Sequence, residues 1–199
     1  MEGTSMAPET NAQRGHEVRR RLLAATVALI GEKGWNAVST RMVAERAGVR
    51  SGIVHYHFTS VAALLREASL GTVRQILTGF APILRQYDDA TAGIDSILDA
   101  LDRYSGRDAT SLLMFEAYLA ATRDAELRAE LSALVAEFRD LVADWLAERG
   151  QAAPRETAAV LAATLDGFVL HKALDPNLSA EVFKPVLRRI LHPVDESEN

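Results

Sequence analysis

Between Arg50 and Tyr56 the chain carries Arg50, Ser51, Gly52, Ile53, His55 and Tyr56, a run of cationic, hydroxyl-bearing and aromatic side chains. Such residues suit the base edges and phosphates of a nucleic acid. An arginine can pair in bidentate fashion with guanine or contact a phosphate, and a glycine lets the backbone approach the duplex closely. Bond-breaking chemistry is not suggested. The chain has no cysteine, which removes disulfides and thiolate metal sites. His55 and His57 stand two apart, so on a helix they diverge and make no metal pair. Asp88 and Asp89 fall in a connection, and Asp99 and Asp102 on a polar helix face. Without a nucleophile elbow, a phosphate loop or a metal box, the sequence points to no enzyme and calls for no cofactor.

The segment that must position this run is Ser39–Phe58, which reads as two short helices around a tight turn. Thr40 is expected to cap the first. Ala44 is small enough for two backbones to cross, and Gly48 can take the left-handed conformation that ends a helix. Val54 and Phe58, one turn apart, face inward and leave Arg50, Ser51, Ile53, His55 and Tyr56 outward. This is the spacing of a helix-turn-helix, although an ordinary helical hairpin can share these three positions. Ser60 is placed to cap the following helix.

The flanking residues go further. Leu29, Ile30, Gly34, Trp35, Thr40, Val43, Ala44, Ala47, Gly48, Val49, Gly52, Val54, His55, Tyr56, His57, Phe58 and Leu64 follow one another in an order that resembles the TetR family of transcriptional repressors. The match runs from about Arg20 to Leu65. The resemblance implies an all-α protein of about nine helices. It would have an N-terminal three-helix helix-turn-helix domain and a C-terminal helical domain for ligand binding and dimerisation. It implies a homodimer that binds a palindromic double-stranded DNA operator and is released by a small-molecule effector of unknown identity. DNA contacts are expected at Thr40, Arg41, Arg50, Ser51, Gly52, Ile53, His55, Tyr56 and Ser60. Two positions depart from the family's pattern: His55 stands in place of a phosphate-touching tyrosine, and Val61 in place of a lysine. A helical ligand-binding or adaptor protein that has lost specific DNA binding is the rival reading.

Charge is split along the chain. From Arg14 to Glu67 there are nine Lys/Arg against four acids, whereas residues 68–199 hold 13 against 21, and the whole chain is at −5. A basic head on an acidic body attracts phosphates at one end only. The longest apolar run, Leu22–Ile30, is far shorter than the roughly 20 residues that span a bilayer. The N-terminus lacks the basic-then-apolar order of a signal peptide. A cytoplasmic protein with no membrane partner is expected.

In chain order, residues 1–15 are expected to form a disordered arm, 16–60 the DNA-binding domain, 61–192 the ligand-binding and dimerisation domain, and 193–199 an acidic tail. The first helix is expected over His16–Lys33, with Arg14, Arg19, Arg20 and Arg21 at its start, where they could lie along phosphates or simply face solvent. A helix from Ser60 to Leu84 would be shared by both domains, bent or ended by Pro82. The helix near Asp108–Thr122 is apolar almost all round, which predicts burial between layers. Phe80, Met114, Tyr118 and Phe168 are the candidate ligand-binding residues, plain core packing being the alternative for each. The last long hairpin has wide apolar faces. Leu134, Phe138, Leu141, Trp145, Leu161, Leu165 and Val169 are its candidate dimer-interface residues.

Overall fold

A computed structural model describes residues 11–191. Among them are nine α-helices and no strand: α1 Asn11–Lys33, α2 Thr40–Ala47, α3 Ser51–His57, α4 Val61–Leu84, α5 Ala90–Asp102, α6 Ala109–Ala121, α7 Ala125–Ala147, α8 Pro154–Lys172 and α9 Ala180–Leu191. The acidic tail and the first ten residues of the expected arm lie outside the described residues. Residues 11–15 of that arm are instead the first turns of α1. Extending an existing helix over Ala12, Gln13 and Arg14 is cheap once a nucleus has formed.

Helix starts are written in short polar side chains. Ser60, Asp89, Asp108 and Asp124 each accept a hydrogen bond from an amide of the first turn they precede. That satisfies donors a helix cannot satisfy itself. At α2 the cap is Ser39, which accepts from Met42 N, and Thr40 is the first helical residue. The expectation for Thr40 is therefore off by one, because either hydroxyl can cap and the chain turns extended at Ser39. Gly48 closes α2 with φ 65 and ψ 40, a conformation that costs a residue with a Cβ. Pro82 does not end α4 where it stands; the helix runs two residues further, to Leu84.

The core has three parts. The head is built from α1 to α3, with Leu22, Leu29, Ile30, Val43, Val54 and Phe58 inside it. A large body core joins α4, α5, α7, α8 and α9 around Ile97, Leu98, Leu146, Leu161 and Phe168. A smaller third core lies between α4, α6 and α7. Among the described residues no helix is long and apolar enough to cross a membrane.

The interface residues expected on the α7–α8 hairpin are a correction. Leu134 is buried in the third core and Phe138, Trp145, Leu161, Leu165 and Val169 in the body core, against which Leu141 packs half-buried. Trp145 Nε1 donates to Leu84 O at 3.0 Å, which anchors the ring in its own subunit. The wide apolar faces of α7 and α8 are consumed by each other and by α4 and α5. What remains outward is a different stripe. On α8 it comprises Val160, Ala163, Gly167 and Leu170, at spacings of three and four; Leu174 extends it just past the helix end, and Val182 and Val186 continue it on α9.

Candidate nucleic-acid interface and internal cavity

Helix α3 presents one side to the head and the other to solvent. Val54 is buried in the head core, while Arg50, Ser51, Gly52, Ile53, His55 and Tyr56 are exposed, Tyr56 to 83%. Arg41 and Ser60 flank them on the surface, and Thr40 is half-buried. A Cβ added at Gly52 would meet nothing within 4 Å, so the surface there is open. Tyr56 stands edge-on to His57, with ring centroids 5.1 Å apart.

The head's arginines divide into two sets. Arg19 bonds Glu67 and lies 4.9 Å over the Phe58 ring. Arg20 pairs with Glu17 at 2.8 Å, Arg46 grips Glu32 with both nitrogens, and Arg21 donates to the Ala47 carbonyl at the end of α2. Those side chains hold the head together, so Arg19, Arg20 and Arg21 are not available as an unpartnered phosphate row. By contrast, Arg41 and Arg50 make no ion pair among the described residues, and both are exposed beside α3. Unpaired guanidinium groups on a protruding helix are free to meet phosphate or guanine.

The head is joined to the body at two helices. On α4, adjacent residues pull in opposite directions: Glu67 binds Arg19 of α1, whereas Arg66 binds Glu126 at 2.6 Å and reaches Asp124 at 3.6 Å on α7. The second joint is α6, which sequence reasoning missed. Leu113 of α6 is fully buried and belongs to the head's core, not the body's. Glu116 accepts the amide of Trp35 at 2.9 Å, just after the Gly34 turn. Gly31 of α1 lies so close to α6 that a Cβ there would stand 2.8 Å from Ala109 Cα. The sequence signal for this contact is the glycine at position 31, inside an otherwise regular helix.

The same α6 lines a cavity. Phe80 from α4, Met114, Phe115 and Tyr118 from α6, Phe138 from α7 and Asp166 from α8 surround about 150 Å³ of largely apolar space. Three of the candidate ligand residues, Phe80, Met114 and Tyr118, are thus brought together. Phe168 is not: it is fully buried, its ring 4.9 Å from that of Phe183, and it packs α8 onto α9. Its spacing on the helix gave no means of telling core from cavity wall. Tyr118 donates to Asp166 Oδ2 at 3.0 Å. Burial, then the neighbouring carboxylate, pushes the Tyr118 hydroxyl well above the ordinary tyrosine range. Asp166 is exposed overall, and desolvation on its cavity side raises its carboxyl against the lowering effect of the hydrogen bond from Tyr118. Tyr118, Val135 and Asp166 also line an outer groove of about 430 Å³, so this pair stands where cavity and groove meet.

Comparison with known proteins converges on one family. A model described as "Bacterial regulatory proteins, tetR family" matches residues 22–68, and one described as "Tetracyclin repressor-like, C-terminal domain" matches residues 88–193. The multidrug binding protein EbrR, crystallised with imidazole, is 31% identical with a TM-score of 0.66, over 96% of this chain and 100% of that one. A TetR-family member from Streptomyces coelicolor A3 is 33% identical with a TM-score of 0.68, over 89% of this chain and 99% of that one. The HTH-type transcriptional repressor KstR of Rhodococcus jostii is 46% identical over 63 residues, 29% of either chain.

Proposed function

The chain belongs to the TetR family of transcriptional regulators, and from that premise we propose that it is a ligand-responsive repressor, active as a homodimer. It binds a partly palindromic operator and releases it when a small molecule enters the cavity lined by α4, α6, α7 and α8. Two α3 helices enter successive major grooves about 34–36 Å apart. Arg50, Ser51, Gly52, Ile53, His55 and Tyr56 face the groove, and Thr40, Arg41 and Ser60 face the backbone. Helices α8 and α9 supply the partner-facing stripe. Ala163 and Gly167 at its centre let two helices approach closely, and Val160, Leu170, Leu174, Val182 and Val186 are apolar residues that a second copy would cover.

The observation that carries this reading is α6. Leu113 completes the head's core, and the next residues, Met114, Phe115 and Tyr118, line the cavity. A ligand that displaces this one helix acts on the head directly. The coupling needed is modest, about 1–3 kcal/mol, which is a 5–150-fold change in operator affinity. EbrR is described as complexed with ethidium and with imidazole, which supports an organic small molecule as the effector here. No catalytic role is assigned to any residue.

Fluorescence anisotropy with DNA from the protein's own gene neighbourhood tests the proposal. Specific binding that falls steeply with salt is expected. Arg50→Ala weakens it by about 1–3 kcal/mol if the residue reads a base, and instead flattens the salt slope by about one if it touches phosphate. Absence of binding at low salt, without effector, would favour the adaptor reading that His55 and Val61 support.

A further inference from the structure

Asp166 sits where an apolar cavity has no need of a carboxylate. Of the side chains lining the cavity, only Asp166 and Tyr118 can ionise. Among the described residues, the Tyr118 hydroxyl at 3.0 Å is the one side-chain partner of Asp166. Arg128 and Arg139 of α7 line the adjoining groove, yet neither forms an ion pair with Asp166. Arg103 lines a different groove, which meets the cavity only through Ile76 and Phe80. On the cavity side α4 contributes Ile76, Leu77 and Phe80, none of them charged. The carboxylate therefore stands exposed at the mouth of a cavity whose wall includes Phe80, Phe115 and Phe138, without an ion-pair partner among the described residues.

We propose that the cavity takes an organic cation, its apolar body against Phe80, Phe115 and Phe138 and its positive charge at Asp166. The proposal rests on the cavity being the effector site and adds the class of effector. A cation supplies the opposite charge that the subunit withholds, and the aromatic faces attract it through their quadrupoles. Tyr118 keeps its proton and orients the carboxylate while the ligand is absent. Cation binding strengthens as pH rises through the titration of Asp166, which desolvation on its cavity side raises, and is lost below it, where the carboxyl is neutral.

The test is titration calorimetry of the full-length protein with three probes: benzyltrimethylammonium, its neutral carbon isostere neopentylbenzene, and the anion phenylacetate. The cation is expected to bind at least about tenfold more tightly than the isostere at neutral pH, with the preference shrinking as the solution is acidified. Asp166→Asn should abolish the preference while leaving the isostere's affinity unchanged. The three-probe comparison on the wild type needs no variant. Equal binding of cation and isostere, or tightest binding of phenylacetate through Arg128 and Arg139, overturns the cationic class and leaves the cavity as a ligand site. If none of the three binds, both fall together. A cation that binds but leaves operator affinity unchanged supports the class and defeats only the effector role.

Discussion

Replacing Gly31 by alanine sets two opposed effects against each other in one residue. Gly31 lies inside α1, where alanine is favoured over glycine by about 0.8–1.0 kcal/mol. Were that all, the protein would be stabilised. The structure puts Ala109 Cα at 2.8 Å and Ala109 O at 3.0 Å from the added Cβ, both backbone atoms of α6. Carbon atoms rest at about 3.5–4.0 Å, so α6 must retreat by roughly 0.7 Å or α1 must bend. Overpacking of this kind typically costs about 1–3 kcal/mol. The net expectation is destabilisation by up to about 2 kcal/mol, read as a fall in melting temperature of about 2–4 °C per kcal/mol for a chain of this size. Gly71→Ala is the control. Its Cβ would meet nothing within 4 Å, so only the propensity gain remains and its melting temperature should rise. Both are measured by calorimetry at one protein concentration, because the proposed dimer would make the midpoint concentration-dependent. The retreat of α6 also draws Leu113 from the head's core, so operator affinity should drop without any effector. A Gly31→Ala protein that melts higher, as the Gly71→Ala control does, would refute the close α1–α6 contact and with it the role given to α6.

Two further outcomes are expected. Leu170→Arg places a charge in the outward stripe of α8, and sedimentation velocity should then show a monomer with the subunit's helicity unchanged; a persistent dimer would move the interface elsewhere. For Asp108, burial acts to raise the carboxyl, but hydrogen bonds from Ser111 and Ser105 outweigh it and hold the group below its ordinary 3.8. A depressed carboxyl stabilises the fold above its unfolded value and loses that contribution as pH falls through its folded value. Asp108→Asn keeps a capping side chain, so its urea midpoint should be near the wild type at pH 7 and less sensitive to acid below about 3.8. Equal acid sensitivity of the two proteins would rule the cap out as a source of it.

Much of the fold was legible because local chemistry and global packing agree. One helix start was announced by Ser60, and the sharp turn by Gly48, each through a rule that acts within one helical turn. The exposed face of α3 followed from the inward pull of Val54 and Phe58 alone. The interface on α7 and α8 was misread for a physical reason. An apolar stripe records that something covers it, not whether the cover is the same chain or another. Leu134 through Val169 are covered by their own subunit. The residues left exposed on α8, among them Val160, Ala163 and Leu170, are small and aliphatic and look unremarkable in isolation, yet they are the surface the proposed partner would cover.

Helix α6 shows where such reading stops and what lies past it. Apolar almost all round, it was bound to be buried, but its neighbours were not deducible from its own periodicity. Its faces are in fact claimed by three different environments. Leu113 enters the head's core, Ala117 and Ala121 enter the third core with α4 and α7, and Met114, Phe115 and Tyr118 turn to the cavity. Apart from Tyr118 and Leu119, which reach solvent, the large apolar side chains of α6 are at least half-buried, so the helix cannot shift far on one packed face without disturbing the others, because packed interiors have few voids to absorb the motion. Displacing Met114 or Tyr118 must therefore be felt at Leu113 and at the Glu116 hydrogen bond to Trp35. Helix α4, by contrast, presents an exposed side along much of its length, including Gly71, Arg74, Gln75, Thr78 and Gly79, and can tilt with less resistance. The stiffer link between cavity and head is then α6, and the elements it grips, Gly31 and the turn at Trp35, are where a substitution outside both sites should alter the response most.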